Sequence, residues 1–247
     1  MKAERRADPE AAIILFSGER TPFLSHLEEI RRRLLRGLLW LGIGTLIAWR
    51  FSPQILARLV EPVGQVVYLS PLEPFLVRLT AAFLGGLGLS FPLLAWEAWG
   101  FVRPALRPAE RWLASTLIPA SVLLFFVGAG FGWKLLLPAA LTILEGFGTE
   151  FMMPMITLGA YLNFAGWLIV GCGLIFQMPL VILFLIRAGI VRPWTLLRGW
   201  RVAAVALLVT AAVITPTPDI FTQLLLAAPL AGLYLISVIL GFLAGER

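Results

Sequence analysis

FLSHLEEIRRRLL, residues 23–35, gathers the chain's single histidine, His26, two adjacent acids and three adjacent arginines among spaced apolar residues. Phe23, Leu27, Ile30 and Leu34 fall on one face at helical spacing. Thr21 suits an N-cap and Pro22 the first helical position. Glu28–Arg32 and Glu29–Arg33 are i,i+4 pairs in the favourable orientation. The stretch then runs without a break into an apolar segment. This pattern predicts an amphipathic helix lying on a membrane surface, apolar side down, that leads into a span.

The rest of the chain fits that beginning. Of 247 residues, 60% are hydrophobic and 14% charged, against about 25% charged in a soluble domain. Mean hydropathy is +0.91. A span needs about 20 mostly apolar residues, and six segments qualify or come close: 34–51, 79–99, 112–133, 164–186, 202–214 and 220–243. Backbone groups in hydrocarbon must be satisfied within each segment, so all six are read as helices. The expectation is an all-α membrane protein with six transmembrane helices, the final two short, preceded by the amphipathic surface helix. Residues 1–22 form a tail expected to be poorly ordered, and 23–247 a single membrane domain. The first apolar run is read as a retained helix, because the region before it is too long for a signal peptide and no small-x-small site follows Ile47.

Orientation follows from the basic residues. With the N-terminus cytoplasmic, 16 of the 20 Lys and Arg fall on the cytoplasmic side and only Arg50, Arg58, Arg78 and Lys134 on the other. The arrangement is N-in and C-in, and both termini are expected to be cytoplasmic. Trp49, Trp99, Trp112, Trp133 and Trp200 sit at the expected interfaces and read as belt anchors. The fifth segment, at 1.5 Å per residue, covers only about 20 Å. It predicts a locally thin bilayer, with Asp219 dipping below the ordinary headgroup level. The net charge of +6 is spread over span edges, which speaks against nucleic-acid binding.

Signatures of catalysis are missing. No phosphate-binding Gly-rich loop with Lys-Ser/Thr and no His-Glu-x-x-His pair occurs. A lone histidine on the surface helix leaves an intramembrane serine without a base. Cys172 lies in an apolar run and reads as packing. Gly128 and Gly132, four apart, mean close helix contact. The loop FVRPALRPAER, residues 101–111, stands apart: Pro104 and Pro108 stiffen it, and Glu110 is its only acid, flanked by Arg107 and Arg111. Glu110 reads either as an acid favoured by the dipole of the following helix or as a carboxylate presented to a cationic ligand.

Four groups of residues, in order on this six-span frame, resemble the TatC family, the multispanning receptor subunits of twin-arginine protein translocases. They are His26-Leu27-x-Glu29-Ile30-Arg31-x-Arg33; Phe91-Pro92; Phe101-x-x-Pro104-x-Leu106-x-x-x-Glu110-Arg111; and Thr215-Pro216…Pro218-Asp219…Gln223…Pro229. The resemblance implies a receptor for signal peptides with two consecutive arginines, carried by folded cargo proteins. It also implies small single-span partner subunits, a multi-copy complex in the cytoplasmic (inner) membrane and the proton gradient as driving force. It implies neither a cofactor nor an enzymatic activity. By the same resemblance Glu29 and Glu110 are the recognition acids, with Phe101 supporting them; Arg31, Pro104, Leu106, Gln177 and Asp219 are supporting residues. The chemistry agrees, since a guanidinium fork matches a carboxylate bidentately and lysine keeps only the charge.

Three positions depart from the family's habit. Gln177, before Met178-Pro179, and Leu235, after Tyr234, stand where glutamates often occur, so a proton-uptake role for acids there is in doubt. Gln177 remains a hydrogen-bonding group. Glu97, one turn before Phe101, stands where glutamine is more usual. It is expected either to meet headgroups or an arginine such as Arg103, or to add a third acid to the peptide site. A permease subunit of an ATP-driven transporter is the rival reading of six spans with a cytoplasmic loop.

Overall fold

The computed structural model describes residues 22–105, 111–148, 155–215 and 220–245. Glu110, Leu106 and Asp219 lie outside the described residues, as does the tail before Pro22. The described chain is helical, with one isolated bridge between Val67 and Thr157. The helices are α1 (Pro22–Val60), α2 (Glu73–Val102), α3 (Arg111–Phe131), α4 (Leu137–Glu145), α5 (Leu158–Ile175), α6 (Met178–Arg187), α7 (Pro193–Arg198), α8 (Trp200–Ile214) and α9 (Ile220–Gly245). Five stretches are long and apolar enough to cross a membrane, and α8 is a shorter apolar helix.

Here α1 differs from the expectation. The amphipathic stretch and the first span form one helix of 39 residues rather than a surface helix followed by a span. Good helix formers fill the junction and nothing breaks it. The helix also continues through Pro53. A proline there leaves the carbonyl four residues back without its donor. The Ser52 hydroxyl supplies one, bonding the Trp49 carbonyl at 2.9 Å. Arg78 reaches over from α2, its guanidinium 5.4 Å from the Trp49 ring and its Nε donating to Ser52 Oγ at 3.4 Å.

Helices α1 and α2 cross with their backbones nearly touching. A Cβ on Gly44 would lie 2.7 Å from the Gly86 carbonyl oxygen, and one on Gly86 2.5 Å from the Thr45 backbone. Small residues allow this approach, and Ser90 Oγ bonds the Trp40 carbonyl across it at 2.8 Å. Gly128 and Gly132 do the same between α3 and α5: a Cβ on Gly128 would lie 2.6 Å from the Cys172 carbonyl oxygen. Cys172 is fully buried there, in keeping with a packing role.

The third span does not stop at 133. After α3 a π turn, Gly132–Leu136, passes into α4, so the helical path runs to Glu145. The π turn rearranges the bonding just ahead of Pro138, where an ordinary helix would lack a donor. The fourth span is interrupted at Phe176 and Gln177, between α5 and α6, with Pro179 in the first turn of α6. Of the last two spans only α8 is short, at 15 residues. Helix α9 has 26 residues and is not short; it carries Pro229 inside it, as the segment 220–243 requires.

Two of the tryptophans expected at interfaces are placed differently. Trp99 is buried among Phe91, Ala95, Leu117, Phe125 and Leu180, edge-on to Phe184. Trp133 packs against the central cluster of Leu136, Leu168, Cys172, Ala211 and Leu230. Interior apolar space claims a large ring whenever its face points inward. Trp200, by contrast, is exposed.

At the end of α1 remote from Pro22, three segments are tied together. Val67 exchanges backbone bonds with Ile156 and Leu158 at 3.1 and 2.8 Å. The Glu73 carboxylate accepts from the backbone N–H of Leu69 and of Gly159, both at 2.8 Å. Tyr161 donates its hydroxyl to the Leu59 carbonyl. These contacts fix the ends of α1, α2 and α5 relative to each other.

Candidate functional site: a four-charge cluster on α1 and α2

Glu29, Arg33 and Arg36 follow at steps of four and three along α1 and share one face. Glu97 and Phe101 lie four apart on α2. The close crossing of the two helices brings these faces together. Arg33 donates from Nε and Nη2 to one Glu29 oxygen at 3.0 and 2.8 Å. Its Nη1 reaches Glu97 Oε2 at 3.4 Å. Arg36 Nη1 meets the other oxygen, Glu97 Oε1, at 3.3 Å. Two carboxylates and two guanidinium groups thus alternate in one chain, with no net charge.

Burial grades this chain. Glu97 is 8% exposed, while the Arg36 side chain is 47% exposed. A carboxylate so far from water is tolerated only when paired. The sequence alternatives for Glu97 were headgroups, Arg103 or a ligand; the structure gives it Arg33 and Arg36. Beside the cluster lies a groove of about 400 Å³, open to one side. Its walls are apolar residues of α1 (Ile30, Leu34, Leu38, Leu41) and of α2 (Leu94, Phe101), with Arg33 and Glu97 at the polar end.

Arg33 therefore links Glu29 to Glu97, and Glu97 and Phe101 line the same groove. Arg31 is exposed, and no ion pair or hydrogen bond joins it to the cluster. Pro104 is exposed in the 3₁₀ turn Arg103–Ala105 that follows α2. Gln177 belongs elsewhere: its Nε2 donates to the Ser121 carbonyl at 3.0 Å, and Ser121 Oγ donates to Gln177 Oε1. That is a contact between the break in the fourth span and α3, the polar helix–helix contact the sequence allowed.

Sequence reasoning missed Arg36. The signal was present, since Arg36 is one turn beyond Arg33 on the Glu29 face and an acid inside a span calls for a counter-ion. Without knowing which face of α1 meets α2, the two observations could not be joined.

The long apolar helices and the charged cluster at one end of a helix pair define a multi-pass α-helical membrane protein with a polar site at its edge. The family model for TatC, Sec-independent protein translocase protein, matches residues 25–229. The Koribacter versatilis Sec-independent protein translocase protein TatC is 36% identical, over 91% of this chain and 86% of that protein. The Aquifex aeolicus protein of the same name is 34% identical, over 92% and 97%. A crystal structure of the twin arginine translocase receptor TatC superposes with a TM-score of 0.76 at 33% identity, covering 90% of this chain and 100% of that one. This chain belongs to the TatC family.

Proposed function

We propose that this chain is the signal-peptide receptor of a twin-arginine translocase. It takes up paired arginines on folded cargo at the cytoplasmic edge of the inner membrane, and both its termini are cytoplasmic. Family membership supports the translocase role and disfavours the permease reading. The observation that carries the site is that Glu29 and Glu97, from two different helices, share Arg33, with Glu97 and Phe101 lining an apolar groove. Two carboxylates with separate geometry suit two guanidinium groups. The apolar walls suit the hydrophobic residues of an extended peptide beyond them. Glu110 enters the proposal as a third acid through the family resemblance.

The chain acts by binding and not by catalysis. Small single-span subunits join it in a multi-copy complex, and the proton gradient drives passage. The face between α8 and α9, which includes Leu208, Leu224 and Ala228, is the proposed contact for those subunits. With Gln177 engaged by Ser121, proton uptake is assigned to other groups of the complex.

The test is binding of a labelled twin-arginine signal peptide to the purified chain in lipid nanodiscs. Glu29→Gln and a twin-lysine peptide should each weaken binding tenfold or more, as expected for loss of a charge-assisted pair worth about 1.5–3 kcal/mol. Undiminished capture of the twin-lysine peptide would remove the receptor reading.

A further inference from the structure

The carboxylates of Glu29 and Glu97 hold guanidinium groups of the chain's own arginines. We propose, resting on the receptor reading, that Arg33 and Arg36 are built-in occupants of the peptide site. They stand in for the paired arginines of a ligand, give way to them, and thereby set the selectivity for arginine over lysine.

Three observations carry this. First, both oxygens of Glu97 are taken, Oε2 by Arg33 and Oε1 by Arg36, and Glu29 is held by two donors of Arg33. A guanidinium can take the place of these arginines on Glu97 only by displacing one of them, whereas on Glu29 both donors share Oε1 and the second oxygen carries neither. Second, the hold is uneven. The Glu29 contacts, at 2.8 and 3.0 Å, are those of a well-formed charge-assisted bond, whereas the Glu97 contacts, at 3.3 and 3.4 Å, are long for one. Arg36, about half exposed on a flexible stem, can turn its head to water at small cost. Third, Gly100 makes room for the arrangement. A Cβ there would lie 2.4 Å from Arg33 Nη1 and 3.2 Å from its Cζ. The guanidinium lies over the bare backbone of α2, in the space a side chain would fill.

Binding is then an exchange of one ion pair for another. Such an exchange gains little unless the newcomer restores every contact that is broken. An incoming guanidinium, planar and forked, can replace both donors on Glu29 in one plane; an ammonium is a compact point charge without that fork. Discrimination therefore comes from competition with the protein's own arginines as well as from the shape of the carboxylates.

The experiment measures affinity of the full-length chain in nanodiscs for a twin-arginine peptide and its twin-lysine counterpart. Arg36→Gln removes one occupant from the exposed end of the cluster. Gly100→Ala keeps every charge, favours the helix and pushes the Arg33 head aside. Each variant should tighten twin-arginine binding about threefold, the scale of a partly exposed ion pair. Each should also narrow the arginine-to-lysine ratio. If either variant leaves affinity unchanged or weakens it while Glu29→Gln still lowers it, the built-in occupants are refuted and the receptor reading stands. If Glu29→Gln binds like the unaltered protein, the receptor reading falls and the exchange with it.

Discussion

Removing Arg33 tests the energetics of the cluster most directly. The variant Arg33→Met keeps much of the aliphatic stem but deletes the charge between Glu29 and Glu97. Glu29 returns to water easily, with its side chain 35% exposed. Glu97, at 8% exposure, cannot, and keeps only Arg36 at 3.3 Å. Stripping one partner from a buried pair costs about 3–5 kcal/mol. The remaining arginine lowers this to about 2–3 kcal/mol, or a melting shift of roughly 4–12 °C for a chain of this size. Glu97→Gln alone frees two arginines that can still reach Glu29 or water, and should cost about 1 kcal/mol. Combining the two leaves no orphaned charge, so the double variant should be no worse than Arg33→Met alone. The cycle is read by tryptophan fluorescence during thermal unfolding in detergent. A double variant whose loss equals the sum of the singles within about 0.5 kcal/mol would show independent sites and refute the coupling.

Other outcomes follow from contacts elsewhere. Gly86→Ala puts a Cβ 2.5 Å from the Thr45 backbone and should destabilise by about 1–3 kcal/mol, while Gly42→Ala, with nothing within 4 Å, should be neutral or slightly stabilising by the same unfolding assay. Glu73→Ala strips the acceptor from two backbone donors 90 residues apart, Leu69 and Gly159, and hydrogen exchange should rise at both amides. Photocrosslinking from Leu225, 37% exposed on α9, should capture a single-span subunit in the assembled translocase, and adducts with lipid alone would move that contact elsewhere.

Much of the architecture is legible in the chain itself, because hydropathy sets the spans and each apolar run must become a helix. What is not legible is how a helix treats its prolines. Pro53 passes inside a helix and Pro138 follows a π turn, while Pro179 starts α6 after a break. At Pro53 the Ser52 hydroxyl satisfies the freed carbonyl, a compensation that depends on side-chain placement. The all-helical class and the short α8 could thus be read from composition, but the length of the third span could not. At the candidate site, motif and helical spacing single out Glu29, Glu97 and Phe101, and Glu29 and Glu97 prove to share Arg33. Arg36 was hidden because its partner is 61 positions away and depends on a helix crossing set by Gly44 and Gly86.

The unbroken run of α1 makes it a stiff lever. Leu59, gripped by Tyr161 at one end, and Glu29 at the other are 30 residues apart on one rod. At 1.5 Å per residue that arm measures about 45 Å, so pivoting it by only ~5° sweeps Glu29 through about 4 Å, more than the span of an ion pair. Loosening the far clamp, where α1 meets the start of α5, can therefore reach Glu29 only by also shifting the close crossing at Gly44 and Gly86.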